Sequence, residues 1–194
     1  MLTISLSNVS FSYDSSNPIL DGVSVVFNNS DRVAIVGDNG SGKTTLLRLL
    51  AGEISPDSGN VAHSATTYMM KQINAMDAKS GGERQSAELW RAFKSGAAIL
   101  LLDEPTNNLD ADAKQRFFND LMSYTFGVVI VSHDRELLQK MDKIIEIANG
   151  KIKVYGGNYD FYVAQKRAEQ ETIYSKYVNT KKEIGRLTET INIA

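Results

Sequence analysis

The chain has 194 residues, 42% of them hydrophobic and 23% charged, with a formal net charge of −2, an ordinary soluble globular composition with room for one well-cored domain plus an appendage. It has no cysteine, which excludes disulfides and thiolate metal sites, and Met1 to Leu6 lack the basic n-region and long apolar core of a signal peptide. No apolar run approaches membrane-spanning length, so a cytoplasmic location is expected and any membrane part has to come from another chain. The charge is asymmetric: residues 151–194 carry eight Lys and Arg against five Asp and Glu, a net +3, while 1–150 carry a net −5. A mildly basic tail permits contact with a polyanion without requiring it.

Residues 2–11 alternate and predict a half-exposed strand that ends near Tyr13, and Val23 to Phe27 predict a second. Val33 to Val36 is a short apolar run with β-branched residues, which reads as a buried strand, and Thr45 to Ala51 is rich in helix formers with Gly52 as its stop. Short strands are expected near 60–62 and 66–70. A helix is expected from Arg84 to Lys94, with Ala87, Leu89, Trp90 and Phe93 available for its inner side. Ala98 to Leu102 is an apolar run of the length of a buried parallel strand. Asp112 to Ser123 predicts a helix with Phe117, Leu121 and Phe118, Met122 as i,i+4 pairs. Val128 to Val131 predicts another buried strand. Ile144 to Ile147 and Lys151 to Tyr155, joined through Asn149-Gly150, predict a hairpin. From Asn158 onward Ile173, Tyr177, Ile184, Leu187 and Ile191 recur at helical spacing among charges, which predicts a long amphipathic helix that packs on another domain or chain.

Between the third strand and its helix stands Gly37-Asp38-Asn39-Gly40-Ser41-Gly42-Lys43-Thr44, a G-x-x-x-x-G-K-T loop in strand–loop–helix context. Glycines let backbone N–H groups turn onto a polyphosphate, the helix N-terminus adds partial positive charge, Lys43 reaches the β- and γ-phosphates and Thr44 holds Mg²⁺. Asp103, closing the 98–102 strand, is placed to bind Mg²⁺, and Glu104 beside it is placed to orient or deprotonate an attacking water. Taken alone, the Asp-Glu pair reads rather as a capped helix start than as a site.

In order along the chain these motifs resemble an ATP-binding-cassette (ABC) nucleotide-binding domain: Walker A GDNGSGKT (37–44), the Q-loop Gln72, the signature KSGGE (79–83), Walker B ILLLDE (99–104), the D-loop NNLD (107–110) and the switch His133. The resemblance spans residues 2–155. It implies an α/β P-loop fold with a mostly parallel sheet, an antiparallel β edge and a C-terminal helical extension. It implies that Gly37, Asn39, Gly40, Ser41, Gly42, Lys43, Thr44 and Thr45 cradle the phosphates of ATP while Tyr13 stacks on adenine. Thr44, Gln72 and Asp103 then attend to Mg²⁺, Glu104 acts on water, and His133 contacts the γ-phosphate. Ser80 and Gly82 grip the nucleotide of a second cassette, which makes an ATP sandwich of two cassettes the working form.

The branch most resembled is the soluble, tandem-cassette ABC-F group of ribosome-associated translation factors and antibiotic-resistance ATPases. EPTNNLD (104–110) is similar to its EPTNHLD, Ser132-His133-Asp134-Arg135 to its SHDR, and GGNYDFY (156–162) to its entry into a helical interdomain linker. On that reading 1–157 is the cassette, 158–194 begins the linker, and ribosomal RNA and tRNA are the partners implied. Lys79 replaces the usual leucine of LSGGE and Asn108 the usual histidine of NHLD. The seven residues 73–79 leave no room for the helical subdomain that docks membrane subunits in transporters. The rival readings are the energising subunit of a membrane transporter and a nucleotide-gated binding module with weak hydrolysis.

Overall fold

The computed structural model describes residues 2–14, 17–70 and 81–192. Gln72, Lys79, Ser80 and the reduced subdomain expected at 73–79 lie outside the described residues.

The main sheet has six strands in the order β5-β6-β7-β3-β8-β9: β5 (Thr67–Met70), β6 (Ile99–Asp103), β7 (Gly127–Val131), β3 (Arg32–Val36), β8 (Lys143–Ala148) and β9 (Lys151–Gly156). All neighbours are parallel except β8 and β9. The central strands are apolar at consecutive positions because both faces are covered. Val33, Ile35, Ile99, Leu101, Val129, Val131, Ile145 and Ile147 point into one core, and Ala34, Val36, Leu100, Leu102, Val128, Ile130 and Ile144 into the other.

The first core is closed by α1 (Lys43–Leu50), which contributes Leu46, Leu47, Leu49 and Leu50, and by an antiparallel sheet of three strands in the order β2-β1-β4. These are β1 (Thr3–Phe11), β2 (Leu20–Asn28) and β4 (Ser58–His63), so the antiparallel part expected near the N-terminus is a sheet of its own, facing the parallel one. The second core is closed by α2 (Gly81–Lys94), α3 (Ala111–Ser123) and the single turn α4 (Arg135–Leu138).

The inner face of α2 differs from the expected one. Trp90 is 63% exposed and Ala87 is exposed, whereas Gln85, Leu89 and Ala92 are buried. Gln85, Leu89 and Ala92, at i, i+4 and i+7, define that face, and Trp90, rotated about 100° from Leu89, points away from it. In α3, Phe117, Phe118 and Leu121 are buried and Met122 is exposed.

The β8–β9 hairpin turns at Asn149 (φ 52°) and Gly150 (φ 73°), the paired left-handed conformation a two-residue hairpin needs. The helix α5 (Tyr159–Asn192) then leaves the sheet. Its first turns are anchored at Glu146, which accepts hydrogen bonds from Tyr155 (3.2 Å), Tyr162 (3.0 Å) and Lys166 (2.6 Å). Further along, Ile173, Tyr174, Tyr177 and Ile184 are each about two-thirds exposed. No helix among the described residues is long and apolar enough to cross a membrane.

Candidate functional site

Parallel strands deliver their C-terminal ends to one edge of the sheet, where ligands of such folds bind. Here the ends of β3, β6 and β7 sit side by side and open a cavity of about 590 Å³. Tyr13, Asn39, Gly40, Gly42, Lys43, Thr44, Thr45, Asp103, Glu104 and His133 line it, although they come from segments spread over 120 residues of sequence.

The loop after β3 takes the shape its glycines permit. Gly42 has φ 104°, and a Cβ there would lie 2.7 Å from Ile19 Cγ2, so no other residue fits the entry to α1. As the N-cap it has no side chain with which to cap the helix, which leaves the first turn's N–H groups for a ligand. Lys43 is 8% exposed, and its Nζ donates to Gly37 O (2.8 Å) and Asp38 O (2.9 Å), which holds a buried ammonium inside the loop. Ser41 Oγ is buried beside Gly37 without a hydrogen-bond partner among the described residues, an orphaned polar atom in a loop shaped for oxyanions.

Thr44 Oγ1 donates to Asp103 Oδ2 at 2.7 Å. Burial pushes the Asp103 carboxyl above the usual carboxylate range, opposed by the Thr44 hydrogen bond and the Lys43 charge. A hydroxyl and one carboxylate form the sparse oxygen set that suits Mg²⁺, which takes one or two protein carboxylates together with substrate phosphates. Among the described residues no group of three or more His, Cys, Asp and Glu forms an all-protein metal cage. The residues present therefore fit Mg²⁺ shared with a polyphosphate.

Glu104 follows Asp103 with φ 49°, a left-handed conformation uncommon outside glycine and typical of strain held at functional sites. Its side chain is 13% exposed, with Oε1 3.6 Å from His133 Nε2. Burial pushes its carboxyl up and Asp103 adds to this, while His133 and Lys43 pull it down. A desolvated carboxylate on a cavity that also holds the glycine loop has the character of a general base. His133 is positioned by its neighbour: Asp134 caps α4 by accepting from the Glu136 and Leu137 amides, and Lys114 of α3 lies 2.7 Å from its Oδ2.

Tyr13 is 59% exposed at the cavity mouth, packed edge-on against Phe11, and its hydroxyl accepts from Arg48 (3.0 Å). Gly37 and Ser41 shape the loop from behind and do not line the cavity. Gly82, in the first turn of α2, packs against the backbone at Asn108, away from this cavity. Asn108 has φ 64°, which asparagine tolerates better than most residues, and Asp110 caps α3 by accepting from Ala113 N. Three lining residues, Ile19, Asn107 and Val131, were given no role by the sequence. Asn107 had a signal, its place in NNLD; Ile19 and Val131 arrive only by folding.

A family model described as ABC transporter matches residues 20–79, and a second of the same description matches 145–192. Among solved structures, a nucleotide-free ATP-binding cassette from an ABC transporter superposes with a TM-score of 0.71 at 18% identity, covering 86% of this chain and 96% of its own, which shows the fold. An erythromycin resistance ATP-binding protein of Staphylococcus epidermidis is 35% identical over 72% of this chain and 34% of its own length. A ribosome protection protein of Bacillus subtilis is 27% identical over 97% of this chain and 39% of its own length. An energy-dependent translational throttle protein of Haemophilus influenzae is 28% identical over 84% of this chain and 38% of its own length. The chain thus spans between a third and two-fifths of these relatives. The matched segments hold the glycine loop, β3 with α1, and the whole of β9 and α5, and the geometry between them is that of a nucleotide cassette. The chain belongs to the ABC ATP-binding cassettes, a family of ATPases.

Proposed function

We propose that this cassette binds and hydrolyses ATP and works by closing an ATP sandwich with a second cassette, as the N-terminal part of an ABC-F type protein that acts on the ribosome. The convergence of Thr44, Asp103 and Glu104 on one cavity behind a G-x-x-x-x-G-K-T loop carries the chemical half of this reading. Lys43 and the N–H groups at the start of α1 hold the β- and γ-phosphates. Thr44, Asp103 and Gln72 are the residues that would hold Mg²⁺, which would supply positive charge beside the transferring phosphate. Glu104 accepts a proton from water as its oxygen bonds to the γ-phosphorus and the bond to the bridging oxygen breaks, leaving ADP and phosphate. His133 holds Glu104 and the γ-phosphate side of the cavity, Tyr13 offers its ring to adenine, and Ser80 and Gly82 meet the nucleotide of the second cassette.

The ribosomal half rests on the relatives, whose names speak of ribosome protection, erythromycin resistance and translational throttling, and on α5. In this reading 1–157 is the cassette and 158–194 starts the linker. The helix is anchored at Glu146 and carries exposed apolar side chains further out, as a linker needs if it packs on a second helix of the same protein. The test is co-sedimentation of the full-length Glu104→Gln protein with ribosomes in ATP and in ADP. ATP-dependent association supports the reading, and association with membranes instead would replace it with the transporter reading.

A further inference from the structure

Gln85 is 1% exposed on the inner face of α2. Its Nε2 donates to Pro105 O at 3.1 Å and reaches Glu104 O at 3.5 Å. Its Oε1 is buried with no hydrogen-bond partner among the described residues. Burying an unpaired amide oxygen is unfavourable, and an apolar side chain of similar length would fill the space without that penalty, so packing alone does not account for an amide here.

The donor contact falls on the peptides that set the direction of Glu104. This residue holds φ 49°, its amide donates to Val131 O (2.9 Å), and its carbonyl accepts from Asn107 N (3.2 Å). One turn back on α2, Gly82 lies so close to the same loop that a Cβ there would stand 2.8 Å from Asn108 O. Two residues at i and i+3, on one helix face, therefore grip the loop that follows β6.

We propose that Gln85 is a positioning residue: its amide holds the Glu104–Pro105 turn in the left-handed conformation that keeps the Glu104 carboxylate on the cavity, and it ties that conformation to the start of α2. The proposal rests on the reading of Glu104 as the base. Any displacement of the first turn of α2 then reaches the base through one amide and one glycine contact, with no intermediate side chain.

The test uses Gln85→Met, which keeps length and removes the donor, and Gln85→Glu, which has no amide hydrogens. Each is assayed for MgATP affinity with a fluorescent ATP analogue, for steady-state phosphate release, and for amide exchange at Asn107. Loosening the turn should lower kcat about tenfold with KM and affinity within about twofold, since misplacement of a reacting group costs rate and not binding. Exchange at Asn107 should rise by about tenfold while the melting temperature holds, because only a local opening is promoted. Unchanged kcat, or a KM that rises and a melting temperature that falls along with the loss of kcat, overturns the proposal, and if one variant does not fold the other decides. A full-length wild-type protein, with its second cassette, that binds MgATP and releases no phosphate refutes the base reading, and Asn107 exchange then decides by itself whether Gln85 holds the turn.

Discussion

Thr44 Oγ1 donates to Asp103 Oδ2 across 2.7 Å, although the two residues are 59 positions apart and β7 lies between their strands. The bond joins the first turn of α1 to the end of β6, so the phosphate loop and the strand-end carboxylates form one site. Asp103→Asn should weaken MgATP binding by about tenfold or more, the scale of losing a metal-orienting group, and leave binding of ATP in EDTA unchanged. Titration of a fluorescent ATP analogue with and without Mg²⁺ checks this; equal losses in both conditions would remove Asp103 from the metal role.

Lys43 is already desolvated within the loop, so its charge acts at close range on whatever the loop holds. Charge-assisted hydrogen bonds contribute ~1.5–3 kcal/mol, and Lys43→Ala should therefore cost about 10- to 100-fold in ATP affinity. Isothermal titration measures it directly.

Glu104→Gln keeps the size of the side chain and removes the proton acceptor. Phosphate release should fall by ~10²–10⁴-fold with ATP affinity retained, and the ATP-bound protein should accumulate as the closed pair of cassettes, visible by size-exclusion chromatography. Turnover at the wild-type rate would take Glu104 out of the chemistry.

Acid should unfold this domain in part through Glu146 and Asp134. Burial opposes ionisation of both, but Lys166, Tyr162 and Tyr155 hold the Glu146 carboxyl below its ordinary 4.5, and Lys114 with the α4 amides holds Asp134 below its ordinary 3.8. A folded-state carboxylate held low stabilises the fold above its unfolded pKa, and that contribution disappears as pH falls through the folded value. Urea midpoints should therefore be steady near neutrality and decline below the ordinary carboxylate range, and Glu146→Gln should flatten part of that decline. An identical pH profile in the variant would show that the α5 anchor carries no such linkage.

Leu89 and Trp90 are neighbours with opposite fates, one 4% and the other 63% exposed. Leu89→Ala should destabilise by about 2–5 kcal/mol through lost burial and a cavity, whereas Trp90→Ala should stay within about 0.5 kcal/mol. Denaturant melts of both variants distinguish the inner face of α2 seen here from one centred on Trp90.

By itself the sequence determined the local chemistry. The G-x-x-x-x-G-K-T spacing, the apolar runs that become β3, β6 and β7, and the Asn149-Gly150 turn are all local patterns, and local sterics and hydrogen bonding decide them. Folding decided what is non-local. Which face of α2 is buried depended on where the 104–108 loop lies, and this put Gln85 inside and Trp90 outside against the pull of hydrophobicity. The reach from Thr44 through Asp103 to Glu104 depended on strand order, because all the parallel strands end on one edge and the order β6-β7-β3 brings these particular ends close together. Ile19 and Val131 entered the cavity through backbone placement, and no residue pattern marks such a position in a chain read one window at a time.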